Sequence, residues 1–226
     1  MAKEVLLVTG AGQIGLAIVR RMGYGKKIVI ATRRPEKAQE TLKTLTNAGF
    51  DAVVIEMDMA FRESIVNAVK AAQEYGPIKM LVNAAGVSPS QATIEQILQP
   101  ENIVNTLHSY QLAKRCNEKR VMYEAVEWGK RGARLNDIAP GIIVTPLAVD
   151  EFAGIRGNFY KNMFAKCPAG RPGTTDEVAD VAELLMSERA QFITRSTFLI
   201  DGGATASYYY GPLQPGLETG MEEGRQ

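Results

Sequence analysis

The chain of 226 residues has one histidine, two cysteines and almost no excess charge: 26 lysines and arginines face 25 aspartates and glutamates. That balance argues against a dedicated binder of nucleic acid or other polyanions, and no basic run is interleaved with aromatics. Cys116 and Cys167 lie far apart, without the spacing of a metal-ligand set, and in a reducing compartment they stay thiols. No metal site is expected. No apolar run reaches the ~20 residues of a membrane span, and the N-terminus enters a strand-like run without a charged region and cleavage site. The expectation is a cytoplasmic protein bound to neither membrane nor nucleic acid. With 46% apolar residues, the chain can build one sizeable core.

What the chain does contain is a rhythm. Short apolar runs at 4–9, 27–31, 52–56 and 79–82 read as buried parallel strands. Between them, 15–22, 36–47 (with Pro35 in its first turn) and 62–74 read as helices. Strand alternating with helix predicts βαβ units in a single-domain α/β protein with a Rossmann-type doubly wound parallel sheet. After Gly86 the rhythm fails. Ser88–Ser90 reads as a turn and 92–98 as a short helix, followed by a long helix, most clearly over 109–130. Strands are predicted at 134–138 and 196–200, with a helix over 175–187 between them. Residues 146–172 read as an irregular segment bearing aromatics, and the tail over 211–226 as flexible.

Gly10-Ala11-Gly12-Gln13-Ile14-Gly15 follows a strand and opens a helix, the context that turns G-x-G-x-x-G into a dinucleotide signature. Gly10 permits the tight turn, Gly12 lets the backbone approach a pyrophosphate and Gly15 lets helix and strand pack closely. The pyrophosphate sits on free amides at the positive helix end. At the end of the second strand, where a carboxylate would bind the ribose of NAD, stand Thr32, Arg33 and Arg34. Arginine forks onto a 2′-phosphate, which favours NADP(H) and leaves NAD(H) as the alternative. In the other reading these are solvated charges at a helix start.

Tyr110 and Lys114 lie one helical turn apart on one face. A free phenol titrates near pH ~10, and a fixed ammonium beside it favours the phenolate. Such a phenol can exchange a proton with a carbonyl or alcohol oxygen, although the spacing alone is common on exposed helices.

From residue 9 to 203 these motifs fall in an order that resembles the short-chain dehydrogenase/reductase family. Thr9 to Gly15 is similar to its glycine motif, with a departure from the commonest spacing. By that resemblance, Asp58 and Met59 contact adenine. Asn83, Ala84, Ala85 and Gly86 match the N-A-G segment lining the cofactor. Tyr110 and Lys114 match Y-x-x-x-K, as general acid/base and as the ribose-holding cation that tunes it. Pro140, Gly141, Ile143 and Thr145 match the segment that holds the nicotinamide amide. Gly170 to Gly173 and Asp201 to Gly203 match C-terminal signatures. The resemblance implies hydride transfer between nicotinamide and a small-molecule carbonyl or secondary alcohol. It also implies a homodimer or homotetramer, because the helix bearing Val121, Ala125 and Trp128 often packs between subunits.

One interval does not fit. Tyr110 follows Asn83 by only 27 positions, whereas the family places a helix, a strand and a loop there. A strand–helix–strand passage alone takes ~30 residues. The middle strand and its catalytic serine have no counterpart, and Ser88, Ser90 and Ser109 do not match it. Either a stretch near 98–99 is absent from this sequence though present in the molecule, or the protein lacks it. In the second case a nucleotide-binding regulatory protein with a degraded site is the alternative function. His108, beside Tyr110, reads as a surface residue before a second proton carrier. Asp137 and Arg195 fall where smaller or apolar groups are usual, as edge contacts or as destabilising residues. Phe152, Phe159, Tyr160, Met163 and Phe164 either wall an apolar substrate pocket or merely pack.

Overall fold

The computed structural model describes residues 3–10, 12–86, 106–154 and 157–214, with backbone alone at 106–108. Strand β1 (Val5–Thr9) is buried throughout, and alternate side chains serve opposite faces. Leu6 and Val8, with Ile28 and Ile30 of β2 (Lys27–Thr32), pack under Leu16 and Val19 of α1 (Gln13–Met22). Val5, Leu7, Val29 and Ala31 face the other way, against Ala68 and Ala72 of α3 (Arg62–Glu74). Burial on both faces is why these strands read as unbroken apolar runs. A 3-10 turn (Pro35–Ala38) and α2 (Gln39–Asn47) lead to β3 (Asp51–Glu56), so that the single helix expected from residue 36 opens tighter than predicted. With β4 (Ile78–Asn83) the strands form a parallel sheet in the order β3-β2-β1-β4.

The long helix α4 (Thr106–Gly129) precedes β5 (Asp137–Pro140), which pairs in parallel with β6 (Thr197–Ile200) in a separate two-stranded sheet. Among the described residues no strand lies between β4 and β5. Leu81 of β4 accordingly stands 45% exposed. The predicted strand at 134–138 begins later because the Arg134 and Asn136 side chains both donate to the Ile193 carbonyl, at 3.1 and 3.0 Å. Helix α7 (Thr175–Met186) ties the halves together. Its Ala179 and Ala182 join the β1–α1 core, with Ile138 of β5 against it, and Asp180 accepts Arg21 of α1 at 2.6 Å.

One expectation is corrected. The segment after Thr145 is not irregular: it forms α5 (Pro146–Ala153) and α6 (Gly157–Lys166). The local cause is Thr145, whose Oγ1 accepts the Ala148 amide at 3.2 Å, followed by proline at the first helical position. Tyr208–Tyr210 close α8 (Ala204–Tyr210), before the tail expected from 211, and the start of that helix is held by Asp201 accepting the Gly203 and Thr205 amides. The expected turn at 88–90, the helix at 92–98, the His108 side chain and the tail from residue 215 lie outside the described residues.

Arg195 is the only described non-glycine with positive φ, at 64°. Left-handed backbone costs a side-chain-bearing residue about 1–2 kcal/mol, and its one described side-chain contact is a 3.6 Å approach to Met122 Sδ. Glycine at this position gives back part of the gain through unfolded-state entropy. Arg195→Gly is expected to stabilise by about 0.5–1 kcal/mol, read as a rise in thermal midpoint of a few degrees.

Candidate active site

The C-terminal ends of the parallel strands converge on one edge, where an open α/β sheet binds ligands. Gly10 leaves β1 at φ +81°, and a Cβ there would meet Ala85 Cα at 3.1 Å. Gly15 is pressed between Ala84 Cβ, 3.1 Å from where its own Cβ would stand, and Val8. Gly12 differs: it is exposed, its φ of −74° suits any residue, and among the described residues a Cβ would meet nothing within 4 Å. No side chain caps α1, whose first turn includes Gln13 and Ile14. The orphan amides of a helix start therefore face open space above Gly12, a cradle that fits a pyrophosphate.

At the end of β2, Thr32 is half-buried and Arg33 and Arg34 are exposed, with no ion pair to a carboxylate among the described residues. In the turn before α3, Asp58 Oδ1 accepts the Ala60 amide at 2.9 Å, and the Asp58 amide donates to Ser64 Oγ of the helix at 2.9 Å. Met59 beside it is exposed, whereas the neighbouring Met57 fills the core. At the end of β4, Asn83 Oδ1 accepts the Thr9 hydroxyl at 2.6 Å, which fixes the amide and leaves its NH2 free to donate. On the far side, Gly141 lies flat on Asp201, where a Cβ would come within 2.7 Å of its Cα, and donates its amide to Ile200. Pro140 is exposed and Ile143 buried, next to the bridge to Gly173. The Thr145 hydroxyl accepts at the α5 cap and keeps its hydrogen for another acceptor.

Tyr110 is half-buried on α4, and Lys114 places its ammonium 5.4 Å from the ring centroid. The same Nζ stands 3.9 Å from where a Gly86 Cβ would be, so the pair adjoins the end of β4. The spacing led to the expectation of a lowered phenol, but Tyr110 is pushed up: burial penalises the phenolate, and the Glu151 carboxylate adds to it. Lys114 stands over the ring but is exposed, so that solvent screens its charge. Asp137 also faces α4. Burial and the Glu118 carboxylate raise it, and Lys114 pulls it down. Ser109 is 1% exposed, and its Oγ finds no hydrogen-bond partner among the described residues.

Sequence reasoning missed Glu151. Glu151 sits in the last turn of α5, and the Tyr160 hydroxyl donates to it at 2.9 Å. The available signal was Thr145-Pro146, which marks a helix start and would have set Glu151 on that helix.

The profile described as short chain dehydrogenase matches residues 4–112, and that described as enoyl-(acyl carrier protein) reductase matches 97–205. The chain belongs to the short-chain dehydrogenase/reductase family. It is similar to the short-chain dehydrogenase/reductase bsc3 of Alternaria brassicicola, 25% identical over 91% of this chain and 97% of that protein. It is also similar to the 7alpha-hydroxysteroid dehydrogenase of Bacteroides fragilis, 28% identical over 89% of this chain and 94% of the relative. Among solved structures it resembles an actinorhodin polyketide ketoreductase variant with NADPH, at TM-score 0.76 and 25% identity, over 89% of this chain and 97% of that one. The protein is thus a short-chain dehydrogenase/reductase acting on hydroxyl or carbonyl groups with a nicotinamide cofactor. The alignment to the hydroxysteroid enzyme spans 249 positions but uses 89% of 226 residues, roughly 201, so about 48 positions of that alignment face a gap in this chain.

Proposed function

We propose that this protein is an NADP(H)-dependent oxidoreductase that reduces a small ketone or aldehyde, with Tyr110 as the general acid and Lys114 as its partner. The observation that carries the reading is the placement of Lys114 against Gly86, with the Tyr110 ring beneath its ammonium, on the strand edge that bears the open Gly12 cradle. A bound nicotinamide supplies the hydride; the chain supplies orientation and the proton. Gly10, Gly12, Gln13, Ile14 and Gly15 receive the pyrophosphate, Asp58 and Met59 the adenine, and Asn83 to Gly86 the ribose side. Pro140, Gly141, Ile143 and Thr145 hold the carboxamide. A phenol raised by burial is fully protonated at neutral pH. It is ready to donate to a carbonyl oxygen and ill-suited to accept from an alcohol, which favours the reductive direction.

Arg33 and Arg34 choose the phosphorylated cofactor, because two exposed guanidinium groups meet a 2′-phosphate with forked hydrogen bonds. Replacing both by alanine should weaken NADPH binding about 30- to 100-fold and leave NADH within about twofold, as one or two charge-assisted hydrogen bonds are lost. Calorimetry with both cofactors reads this, and equal losses for the two would remove the assignment.

The gap in the sheet bears on the same function. Backbone groups along the edges of β4 and β5 that pair with no described strand require partners where they are buried. A stretch near residues 98–99, including a strand and a serine, is the segment that supplies them in the active molecule. The second reading, a nucleotide-binding regulator with a degraded site, rests on the absence of a strand between β4 and β5 among the described residues. Intact mass with an NADPH-oxidation assay on a carbonyl panel separates the two. Turnover by protein heavier than 24.6 kDa supports the first. Cofactor binding without turnover at 24.6 kDa supports the second.

On α4, Ala125 is buried and Val121 and Trp128 are half-buried, while Tyr123 and Val126 stand 74% and 64% exposed. An apolar face beside that stripe suits a homodimer or homotetramer contact. No described helix is long and apolar enough to cross a membrane, and a cytoplasmic location agrees with the thiol state expected of Cys116 and Cys167.

A further inference from the structure

Ser64 stands outside every nucleotide-binding motif of the chain, yet one hydrogen bond ties it to them. It is half-buried in the first turn of α3, a helix that Phe61 precedes without a side-chain cap. Alanine is a better helix former than serine, and Ser64 spends its Oγ outside the helix, accepting the Asp58 amide at 2.9 Å. Other amides of the same turn are held as well. Met57 donates to the Thr32 carbonyl at 3.0 Å, Ala60 to Asp58 Oδ1 at 2.9 Å and Phe61 to the Asp58 carbonyl at 3.2 Å. Asp58 is thus the hub of the turn, and the Met57 bond fastens that turn to the residue preceding Arg33 and Arg34. Asp58 Oδ2 and the Met59 amide have no hydrogen bond among the described residues, and Met59 is exposed. The turn is therefore rigidly bonded on the side of the fold and open on the other, with one acceptor and one donor on neighbouring residues.

We propose that Ser64 is a positioning residue for the adenine end of the cofactor: by holding the Asp58 amide, it keeps the open carboxylate oxygen of Asp58 and the Met59 amide arranged as a neighbouring acceptor and donor. This deepens the NADP(H) reading and rests on it. A 6-aminopurine offers an amino donor beside a ring-nitrogen acceptor, the complement of that pair. Without the Ser64 hydroxyl the half-buried Asp58 loses the partner of its amide. The turn is then no longer pre-arranged, and binding must order it. Ser64 itself touches no part of the cofactor; its effect passes through Asp58.

Calorimetry with NADPH and with 2′,5′-ADP, its adenosine half, tests this without turnover. Ser64→Ala is expected to raise both dissociation constants about five- to tenfold, the worth of one hydrogen bond. In the carbonyl-reduction assay KM for NADPH should rise by as much, with kcat within about twofold. The thermal midpoint should stay within about 3 °C, because the higher helix propensity of alanine offsets part of the lost bond. Ser64→Thr keeps the hydroxyl and should bind as the unaltered protein does. In an Asp58→Ala background, Ser64→Ala should add less than about twofold, since the group it positions is gone. Unchanged constants in Ser64→Ala, with Asp58→Ala still weakening 2′,5′-ADP, overturn the role of Ser64 and leave the NADP(H) reading intact. A Ser64→Ala protein that loses kcat and thermal midpoint together with affinity, without rescue by threonine, has lost packing alone, and this also overturns the role. If the unaltered protein prefers NADH and Ser64→Ala weakens NADH in the same proportion, the phosphate preference is overturned and the role stands.

Discussion

Tyr110→Phe is expected to lower kcat for carbonyl reduction by about 10²- to 10⁴-fold, the usual worth of one positioned proton donor, while the Kd for NADPH stays within about twofold. The substitution removes one oxygen from a half-buried ring and leaves the ring beside Lys114. Lys114→Met should behave differently: if it holds the ribose, as the family resemblance implies, its loss weakens cofactor binding as well as turnover, so kcat and Kd move together. The pH profile gives a second reading of the same phenol. Tyr110 is raised above its ordinary value of 10.0 by burial and by Glu151. Reduction uses the protonated form, so its rate should hold across neutral pH and fall only as pH rises through that raised value. Alcohol oxidation uses the phenolate and should climb over the same interval. In Glu151→Gln one of the raising causes is gone, and both limbs should move to lower pH. A profile unmoved by Glu151→Gln would show that the titrating group is not Tyr110. A Tyr110→Phe enzyme of undiminished kcat would end its assignment as the acid.

The legible parts of the fold are those in which a single physical pattern acts alone. β1 and β2 are covered on both faces, so their apolar runs locate them to within a residue, and the glycines of the first turn show the three distinct environments their spacing implies. The short interval between Asn83 and Tyr110 was legible too, and it has its counterpart in a sheet divided between β4 and β5. Other features depend on terms a local pattern does not contain. Residues 146–166 carry rings and charges without a clean period, so the helices there were missed, although Thr145-Pro146 marks the first of them. The Tyr110–Lys114 spacing conveys that an ammonium is near, but not how far burial opposes it or that a carboxylate arrives from α5. Arg195 occupies a left-handed position that composition alone would give to glycine.

The Gly12 cradle permits a test in which folding and binding move in opposite directions. Serine is a better N-cap than glycine by a few tenths of a kcal/mol, and the Gly12 backbone, at φ −74° and ψ 164°, already has cap geometry with room for a side chain. Gly12→Ser should therefore leave the thermal midpoint unchanged or slightly higher. Its hydroxyl, however, bonds the first-turn amides that a pyrophosphate would use, and it occupies the space through which the phosphate approaches. With one or two charge-assisted hydrogen bonds lost, the Kd for NADPH should rise about 100-fold. Gly15→Ser is the contrasting case. Its Cβ would stand 3.1 Å from Ala84 Cβ and 3.4 Å from Val8 Cγ2, between a helix and a strand that are both buried, and overpacking of this kind costs about 1–3 kcal/mol. Melting curves and calorimetric titrations on both variants separate the two roles. If Gly12→Ser binds NADPH as the unaltered protein does, the first turn of α1 is not where the cofactor's phosphates sit.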